Sequence, residues 1–212
     1  MSSTSAPSGR PRVTALDNQP TAEDVTAWAI AAGNGDDHAM ALFVRATQTD
    51  VWRLCSYLGS HGAADDLTQE TYLRAFRSLS SFAARSSATT WLLSIARRVC
   101  ADHVRSRRRT WRLNHHDSAN GLDRADTLSG DFTTYAALRD LVDHLEPDRK
   151  AAFVLTQMLG ASYAEAAEVC RCPVGTIRSR IARAREDLVA AVDVDTRLDI
   201  PTRRRIRSSN SA

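Results

Sequence analysis

The chain has 212 residues, of which 43% are hydrophobic, and a formal net charge of +3. No apolar run approaches the roughly 18 residues of a membrane-spanning helix, and the N-terminus lacks the apolar core of a secretory signal. The four cysteines have no regular disulfide or zinc spacing, which predicts reduced thiols and a cytoplasmic protein.

The composition favours helices, because long stretches rich in Ala, Leu, Arg and Glu are interrupted by only nine glycines and six prolines. We predict an all-α protein with two small helical domains joined by a flexible linker, the second containing a helix-turn-helix. The predicted parts are a disordered N-terminal segment (1–20), a first domain (21–109), a linker (110–132), a second domain (133–192) and a basic C-terminal tail (193–212).

The first domain shows helical periodicity almost throughout. A helix start is predicted at Thr21, followed by helices over about 37–58, 64–79 and 90–108. From Arg109 to about Phe132 the periodicity fails, and the sequence LNHHDSANGLDRADTLSGD has the composition of a loop.

The charge changes sign at the same place. Residues 97–112 contain seven arginines and one aspartate, a net charge of +6, whereas residues 113–148 contain eight acids and two arginines, a net charge of −6. A domain boundary near 110–132 is therefore predicted. The opposite charges also lead to the hypothesis that the two domains associate and mask each other, in which case high salt would separate them.

The second domain carries several helix start and stop signals. Pro147 suits a first helical turn and Gly160 a helix end, and Ser162 and Glu165 have the spacing of a capping box. A short alanine-rich helix follows, then a tight turn at 170–172, then Pro173 as the first residue of the next helix. A short helix, a turn and a second helix are typical of a helix-turn-helix.

The last helix has two different faces. An apolar stripe for packing is predicted from the spacing of five residues: Val174, Ile177, Ile181, Ala184 and Leu188. The opposite face mixes small residues with arginines, which suits approach to a DNA groove and contact with phosphates and base edges. From this helix alone, an ordinary amphipathic helix with a solvated charged face is the alternative.

The segment LGASYAEAAEVCRCPVGTIRSRIARAREDL resembles the fourth conserved domain of extracytoplasmic-function (ECF) sigma factors of bacterial RNA polymerase. The resemblance implies that the outward face of the last helix reads the promoter −35 element in the major groove. The residues concerned are Thr176, Arg178, Ser179, Arg180, Ala182 and Arg183, with Arg178 and Arg183 as the leading candidates for base or phosphate contacts.

A second, unrelated motif lies in the first domain. The string DDLTQETYLRAF is similar to a motif of the second sigma domain, whose helix docks on the clamp of the largest polymerase subunit. By position, the resemblance implies that Asp66, Gln69 and Glu70 bind core polymerase. A surface helix with acids near its positive N-terminal end is the alternative for these residues taken alone.

The helix over 90–108 combines an apolar side with a side crowded by arginines, and Trp91 is predicted to project on the basic side. An aromatic ring beside cationic groups suits binding of single-stranded DNA, although a tryptophan that packs on the preceding loop is the alternative. The resemblance assigns this region to opening and reading of the −10 element, with the loop over 82–89 capturing a base. The implied contacts are Phe82, Arg85, Ser86, Ser87, Trp91, Arg97, Arg98, Arg105, Arg108 and Arg109.

One departure from the family pattern is Arg98, where many members carry Asn, so the preferred −10 sequence is not predicted.

Core RNA polymerase and promoter DNA, both duplex and melted, are the expected partners, and an anti-sigma protein is a partner common in the family. A stand-alone helix-turn-helix regulator is the alternative function, but it leaves DDLTQETYLRAF and the Trp91 helix without a role.

No catalytic activity, cofactor or metal is predicted. The chain has no glycine-rich phosphate loop. A zinc site built from His115, His116, Cys170 and Cys172 is disfavoured, because the C-x-C spacing is tight and the histidines lie in the predicted linker.

Overall fold

The computed structural model describes residues 20–114 and 139–198, and this part of the chain contains helices and connections but no strand. The helices of the first domain are α1 (Ala22–Gly33), α2 (Asp37–Leu58), α3 (Ala64–Leu79) and α4 (Ala88–Asn114). In the second domain residues 139–143 are helical and precede α5 (Pro147–Phe153), a π-helical turn (Val154–Met158), α6 (Tyr163–Cys170) and α7 (Val174–Leu198).

Side-chain caps explain where the first two helices begin. Thr21 and Asp24 form a capping box at α1, with the Asp24 amide 3.1 Å from Thr21 Oγ1 and the Thr21 amide 2.9 Å from Asp24 Oδ2. At α2 the carboxylate of Asp36 accepts from the amide of Ala39 at 3.0 Å. These bonds satisfy amide groups that a helix start leaves without partners, and the predicted start at Thr21 and the predicted bounds of α2 and α3 are confirmed.

The four helices of the first domain pack around a core that includes Phe43, Leu54 and Leu92, all fully buried. One polar pair lies inside this core. Thr47 Oγ1 donates to the carbonyl of Phe43 at 2.8 Å and lies 2.7 Å from the hydroxyl of Tyr72 on α3. Burial raises the pKa of Tyr72 to about 12.

The end of α1 approaches the end of α3 closely enough to require a glycine. A Cβ atom on Gly33 would lie 2.8 Å from the carbonyl oxygen of Leu79, closer than such atoms approach in proteins. The absence of a side chain therefore lets the two helix ends meet.

In the second domain the predicted helix start and helix end are present, together with a π-helical turn between them. Pro147 is the first residue of α5, where Glu146 caps the amides of Asp148 and Arg149. The π-helical turn after α5 was not predicted, and in it the Leu159 amide donates to the Val154 carbonyl five residues back at 3.1 Å. Gly160 then ends the segment with φ of +72°, as its position predicted.

Two helices are longer than the sequence predicted. Helix α4 continues to Asn114 and occupies the first residues of the predicted linker (110–132), and α7 continues to Leu198 and occupies the first residues of the predicted tail (193–212). Both extensions are mostly polar and each contains an arginine, so apolar periodicity does not predict that they are helical. The rest of the linker and tail, the N-terminal segment to residue 19 and the start of the second domain lie outside the described residues.

The two domains contact each other through α4. Helix α6 packs against α4, and α5 lies near the end of α2. A cavity of about 460 Å³ separates the domains beside this contact, and its lining includes Cys100, Val104 and Arg108 from α4 and Leu145 and Ala151 from the second domain.

Candidate nucleic-acid interface

Two local features fix the ends of the first helix of the helix-turn-helix. The capping box predicted at α6 is present, with the Glu165 amide 3.2 Å from Ser162 Oγ and the Ser162 amide 2.8 Å from Glu165 Oε2. At the other end of α6, Arg171 adopts the left-handed conformation (φ 54°, ψ 49°), which turns the chain toward α7. Helix α7 begins at Val174, one residue after the predicted start.

Helix α7 buries one face and exposes the other. Ile177, Ile181 and Ala184 are buried, and Leu188 is half-buried, as the predicted stripe requires. Val174 is an exception: it was predicted for the packed stripe but is 37% exposed, because it is the first residue of the helix.

The outward face of α7 carries the residues predicted for −35 contact. Arg178, Ser179, Ala182 and Arg183 are exposed, and Thr176 is half-buried. An exposed row of arginines separated by small side chains leaves room for the backbone to approach a groove wall.

Arg180 differs from its neighbours on this face. Its side chain is only 21% exposed, Nη2 forms an ion pair with Asp148 Oδ2, and Nη1 lies 3.5 Å from Cys172 Sγ. In this conformation Arg180 is therefore engaged within the protein, unlike Arg178 and Arg183.

The predicted base-capturing loop precedes α4 in the first domain. Ser87 caps the helix by accepting from the Thr90 amide at 3.1 Å, and Arg85 is exposed. Ser86 and Ser87 are half-buried, and Ala84 has a positive φ of 49°.

Trp91 is half-buried rather than projecting freely on the basic side. Its ring packs on that of Phe82, with centroids 4.9 Å apart and a tilt of 40°. The alternative in which Trp91 packs on the preceding loop therefore describes this conformation. The two rings keep partly accessible surface, as stacking on a base requires.

The arginines of α4 fall into two groups. Arg105, Arg108 and Arg109 are exposed near its C-terminal end, and Arg105 pairs with Asp102 at 2.5 Å. Arg97 is 23% exposed and pairs with Asp148 Oδ1 of the second domain at 2.9 Å. Desolvation, with the nearby charges of Arg171 and Arg97, lowers the pKa of Arg98.

The residues predicted to bind polymerase lie on the outer side of α3. Asp66 and Gln69 are exposed, while Glu70 pairs with Arg74 at 2.7 Å, and Arg74 also reaches Asp102 on α4 at 3.0 Å. Beside them on α3 two apolar side chains are exposed, Leu73 by 52% and Phe76 by 39%.

Helical periodicity alone puts Leu73 on this outer side of α3 and Phe76 on its packed side. The structure corrects the second assignment. Phe76 lies at the edge of the apolar arc, where it contacts the ring of Tyr72 at 5.7 Å between centroids and leaves the rest of its surface uncovered.

Residues 20–114 and 139–198 contain no helix long and apolar enough to cross a bilayer. Within the same residues no three His, Cys, Asp or Glu side chains are grouped as a metal site would require. Of the residues considered for zinc, Cys170 is buried, Cys172 is half-buried, and His115 and His116 lie outside the described residues.

Fold and surface define a two-domain helical protein whose second domain presents an arginine-bearing helix-turn-helix. Comparison with known proteins makes this class specific. Residues 43–110 match the family model described as Sigma-70 region 2, and residues 135–188 match the model described as Sigma-70, region 4.

The ECF RNA polymerase sigma factor SigC of Mycobacterium tuberculosis is 49% identical to this chain over 173 residues, which cover 82% of this chain and 94% of that protein. The chain belongs to the ECF sigma factors of the sigma-70 family.

Two solved structures are similar in fold. CnrH in complex with the cytosolic domain of CnrY is 25% identical, with a TM-score of 0.64 over 81% of this chain and 99% of CnrH. The sigma factor RpoE in complex with the anti-sigma factor NepR from Bartonella quintana is 28% identical, with a TM-score of 0.59 over 74% of this chain and 98% of that one.

Proposed function

We propose that this ECF sigma factor binds core RNA polymerase through α3 and directs promoter-specific initiation by reading the −10 element with α4 and the −35 element with α7. The observation that carries the proposal is that one chain presents two arginine-bearing helices on two domains, as recognition of two separated promoter elements requires. Tethering the domains raises the effective concentration of the second contact once the first is made.

The exposed face of α3 supports the docking assignment. Asp66, Gln69 and Glu70 combine charge and hydrogen-bonding capacity with the adjacent apolar surface of Leu73 and Phe76. An apolar centre with a polar rim is the usual composition of a protein–protein interface. A stand-alone regulator of duplex DNA has no use for such a surface.

For the −35 element, Arg178 and Arg183 are the leading contacts on α7, supported by Thr176, Ser179, Arg180 and Ala182. For the −10 element, the proposed site is the loop before α4 together with Trp91 and the arginines along the helix. Phosphate contacts fix the register of DNA on the protein, while base contacts provide sequence preference. The polymerase supplies the chemistry, so we assign no catalytic residue to this chain and expect it to act in the cytoplasm.

The test is transcription in vitro with purified core polymerase on a library of genomic fragments. The chain alone should produce no transcript, core alone should produce no specific transcript, and the two together should start at sites sharing −10 and −35 motifs. Specific duplex binding by the chain that is independent of polymerase, without promoter-specific transcription, would instead support the stand-alone regulator.

Paired variants test the docking surface. Gln69→Ala with Glu70→Ala should reduce association with core, because the double change removes two polar groups from the proposed rim. Glu23→Ala with Gln48→Ala is the matched control, since it removes the same residue types from exposed positions on α1 and α2. Equal association of both double variants with core would contradict the docking assignment.

The −35 assignment is tested on α7. Arg183→Ala should weaken preference at one base position by about 1–3 kcal/mol if the side chain makes a bidentate contact. Arg185→Ala is the control, because Arg185 lies on another side of α7 and bonds to Gln157 at 3.0 Å. Base preferences measured by binding selection with holoenzyme should change for the first variant and stay the same for the second.

A further inference from the structure

One carboxylate joins the two domains. Asp148, in the first turn of α5, accepts from Arg97 of α4 through Oδ1 at 2.9 Å and from Arg180 of α7 through Oδ2. Arg97 belongs to the helix proposed to follow the −10 strand, and Arg180 to the helix proposed to read the −35 element. The same acid therefore engages one arginine from each DNA-reading helix.

This arrangement reproduces the chemistry of a phosphate contact. A carboxylate and a phosphodiester both present anionic oxygens that accept charge-assisted hydrogen bonds from guanidinium groups. While Asp148 accepts from both arginines, neither donor group is available to DNA in the same geometry. Helix α6 also packs on α4, and the Arg97 side chain is only 23% exposed.

Other features of the contact indicate that it can open. The cavity of about 460 Å³ beside it leaves part of the boundary between the domains unfilled, although buried apolar residues of both domains pack together elsewhere. Arg97 Nε is buried with no hydrogen-bond partner among the described residues, which disfavours the closed state. Arg98 and Arg171 add a repulsion of like charges across the same contact.

We propose that Asp148 is an internal substitute for a DNA phosphate, which holds the domains together in the free chain and keeps Arg97 and Arg180 from promoter DNA. The inference rests on the function proposed above and adds the regulation of its two DNA-reading surfaces. Asp148 and DNA compete for the same arginines, so separation of the domains and DNA binding by Arg97 and Arg180 are coupled.

The test compares three charge-neutralising variants of the full chain. Asp148→Asn removes the negative charge that pairs with Arg97 and Arg180. Asp187→Asn and Asp143→Asn are matched controls, because Asp187 pairs with Arg149 at 2.6 Å and Asp143 pairs with Lys150, both within the second domain. All three make the same change in net charge, so a general electrostatic effect on DNA affinity is common to them.

Binding of the free chain to a short fluorescent single strand of mixed sequence is the first measurement. Asp148→Asn should bind about fivefold more tightly than the two controls, the change expected for loss of an interaction near 1 kcal/mol. Adding Arg97→Ala to Asp148→Asn should remove most of this gain. Small-angle scattering should give a larger radius of gyration for Asp148→Asn than for either control at low salt.

Equal DNA affinity and equal radius of gyration for Asp148→Asn and the controls would overturn the inference. Transcription with core polymerase separates this failure from failure of the proposed function. If every variant and the unchanged chain direct specific transcription, the proposed function stands whatever the role of Asp148. If none does, the proposed function itself is wrong.

Discussion

Replacing Thr47 by Val is expected to destabilise the chain more than replacing Tyr72 by Phe, although both changes remove the same hydrogen bond. The Thr47 hydroxyl has one proton, which it donates to the Phe43 carbonyl at 2.8 Å, so the Tyr72 hydroxyl donates to Thr47 Oγ1 at 2.7 Å. Tyr72→Phe removes a donor and leaves no buried proton without a partner, at a cost of about 1 kcal/mol.

Thr47→Val instead removes the acceptor. The buried Tyr72 hydroxyl then has only the Val44 carbonyl, at 3.5 Å, which is at the limit of hydrogen bonding. A buried hydroxyl without a good acceptor lowers the free energy of unfolding by about 1–3 kcal/mol. The double variant removes both partners, so it should be more stable than Thr47→Val alone.

Urea unfolding followed by circular dichroism at neutral pH measures these differences. The dependence of unfolding on alkaline pH provides a second test. Because the pKa of Tyr72 is raised from 10.0 to about 12 in the folded chain, its contribution to stability is complete below pH 10.0 and is lost as pH rises toward 12. Tyr72→Phe should lack this loss.

If the double variant proved less stable than Thr47→Val by the full cost of Tyr72→Phe, the two residues would be independent. The assignment of donor and acceptor would then be refuted. An identical alkaline stability profile for Tyr72→Phe and the unchanged chain would refute the burial argument for the Tyr72 pKa.

Three further predictions concern stability. Ile181→Ala should lower the free energy of unfolding by about 2–5 kcal/mol, because it leaves a cavity beneath α7, whereas replacement of the exposed Arg183 by Ala should change it little in the same urea titration. Ser162→Ala should cost about 1 kcal/mol through loss of the α6 cap, and amide exchange should increase first at Glu165, whose amide it frees. Asp102→Asn should cost about 0.2–1 kcal/mol, since its ion pairs with Arg74 and Arg105 are partly exposed. Hydrogen bonds from Arg74 and Arg105 lower the pKa of Asp102 below 3.8 in the folded chain. The stability lost in Asp102→Asn should therefore be fully measurable above pH 3.8 and should vanish as pH falls through the pKa of Asp102 in the folded chain.

Local signals account for what the sequence predicted well. The bounds of α2 and α3, the start of α1, the α6 capping box and the helix end at Gly160 each depend on side chains within a few residues of the feature. Periodicity likewise identified the buried stripe of α7, since three of its five members are buried and one is half-buried. The two family motifs, in order along the chain, were sufficient to predict the class of protein.

Features that depend on tertiary contact were not predictable in this way. Nothing near Asp148 in the sequence indicates that its carboxylate meets Arg97, which is 51 residues away, and Arg180, which is 32 residues away. The opposite charges of the two segments suggested association without identifying the residues. The π-helical turn and the exposure of Phe76 likewise depend on how neighbouring elements pack.

Helix α4 runs without interruption from Ala88 to Asn114. At the rise of an α-helix its 27 residues extend about 40 Å, and Arg97 and Arg109 are separated by about 18 Å along its axis. These intervals are set by the backbone and cannot stretch. We therefore expect the contacts proposed for α4 along the −10 strand to keep the same spacing at promoters with different distances between the −10 and −35 elements.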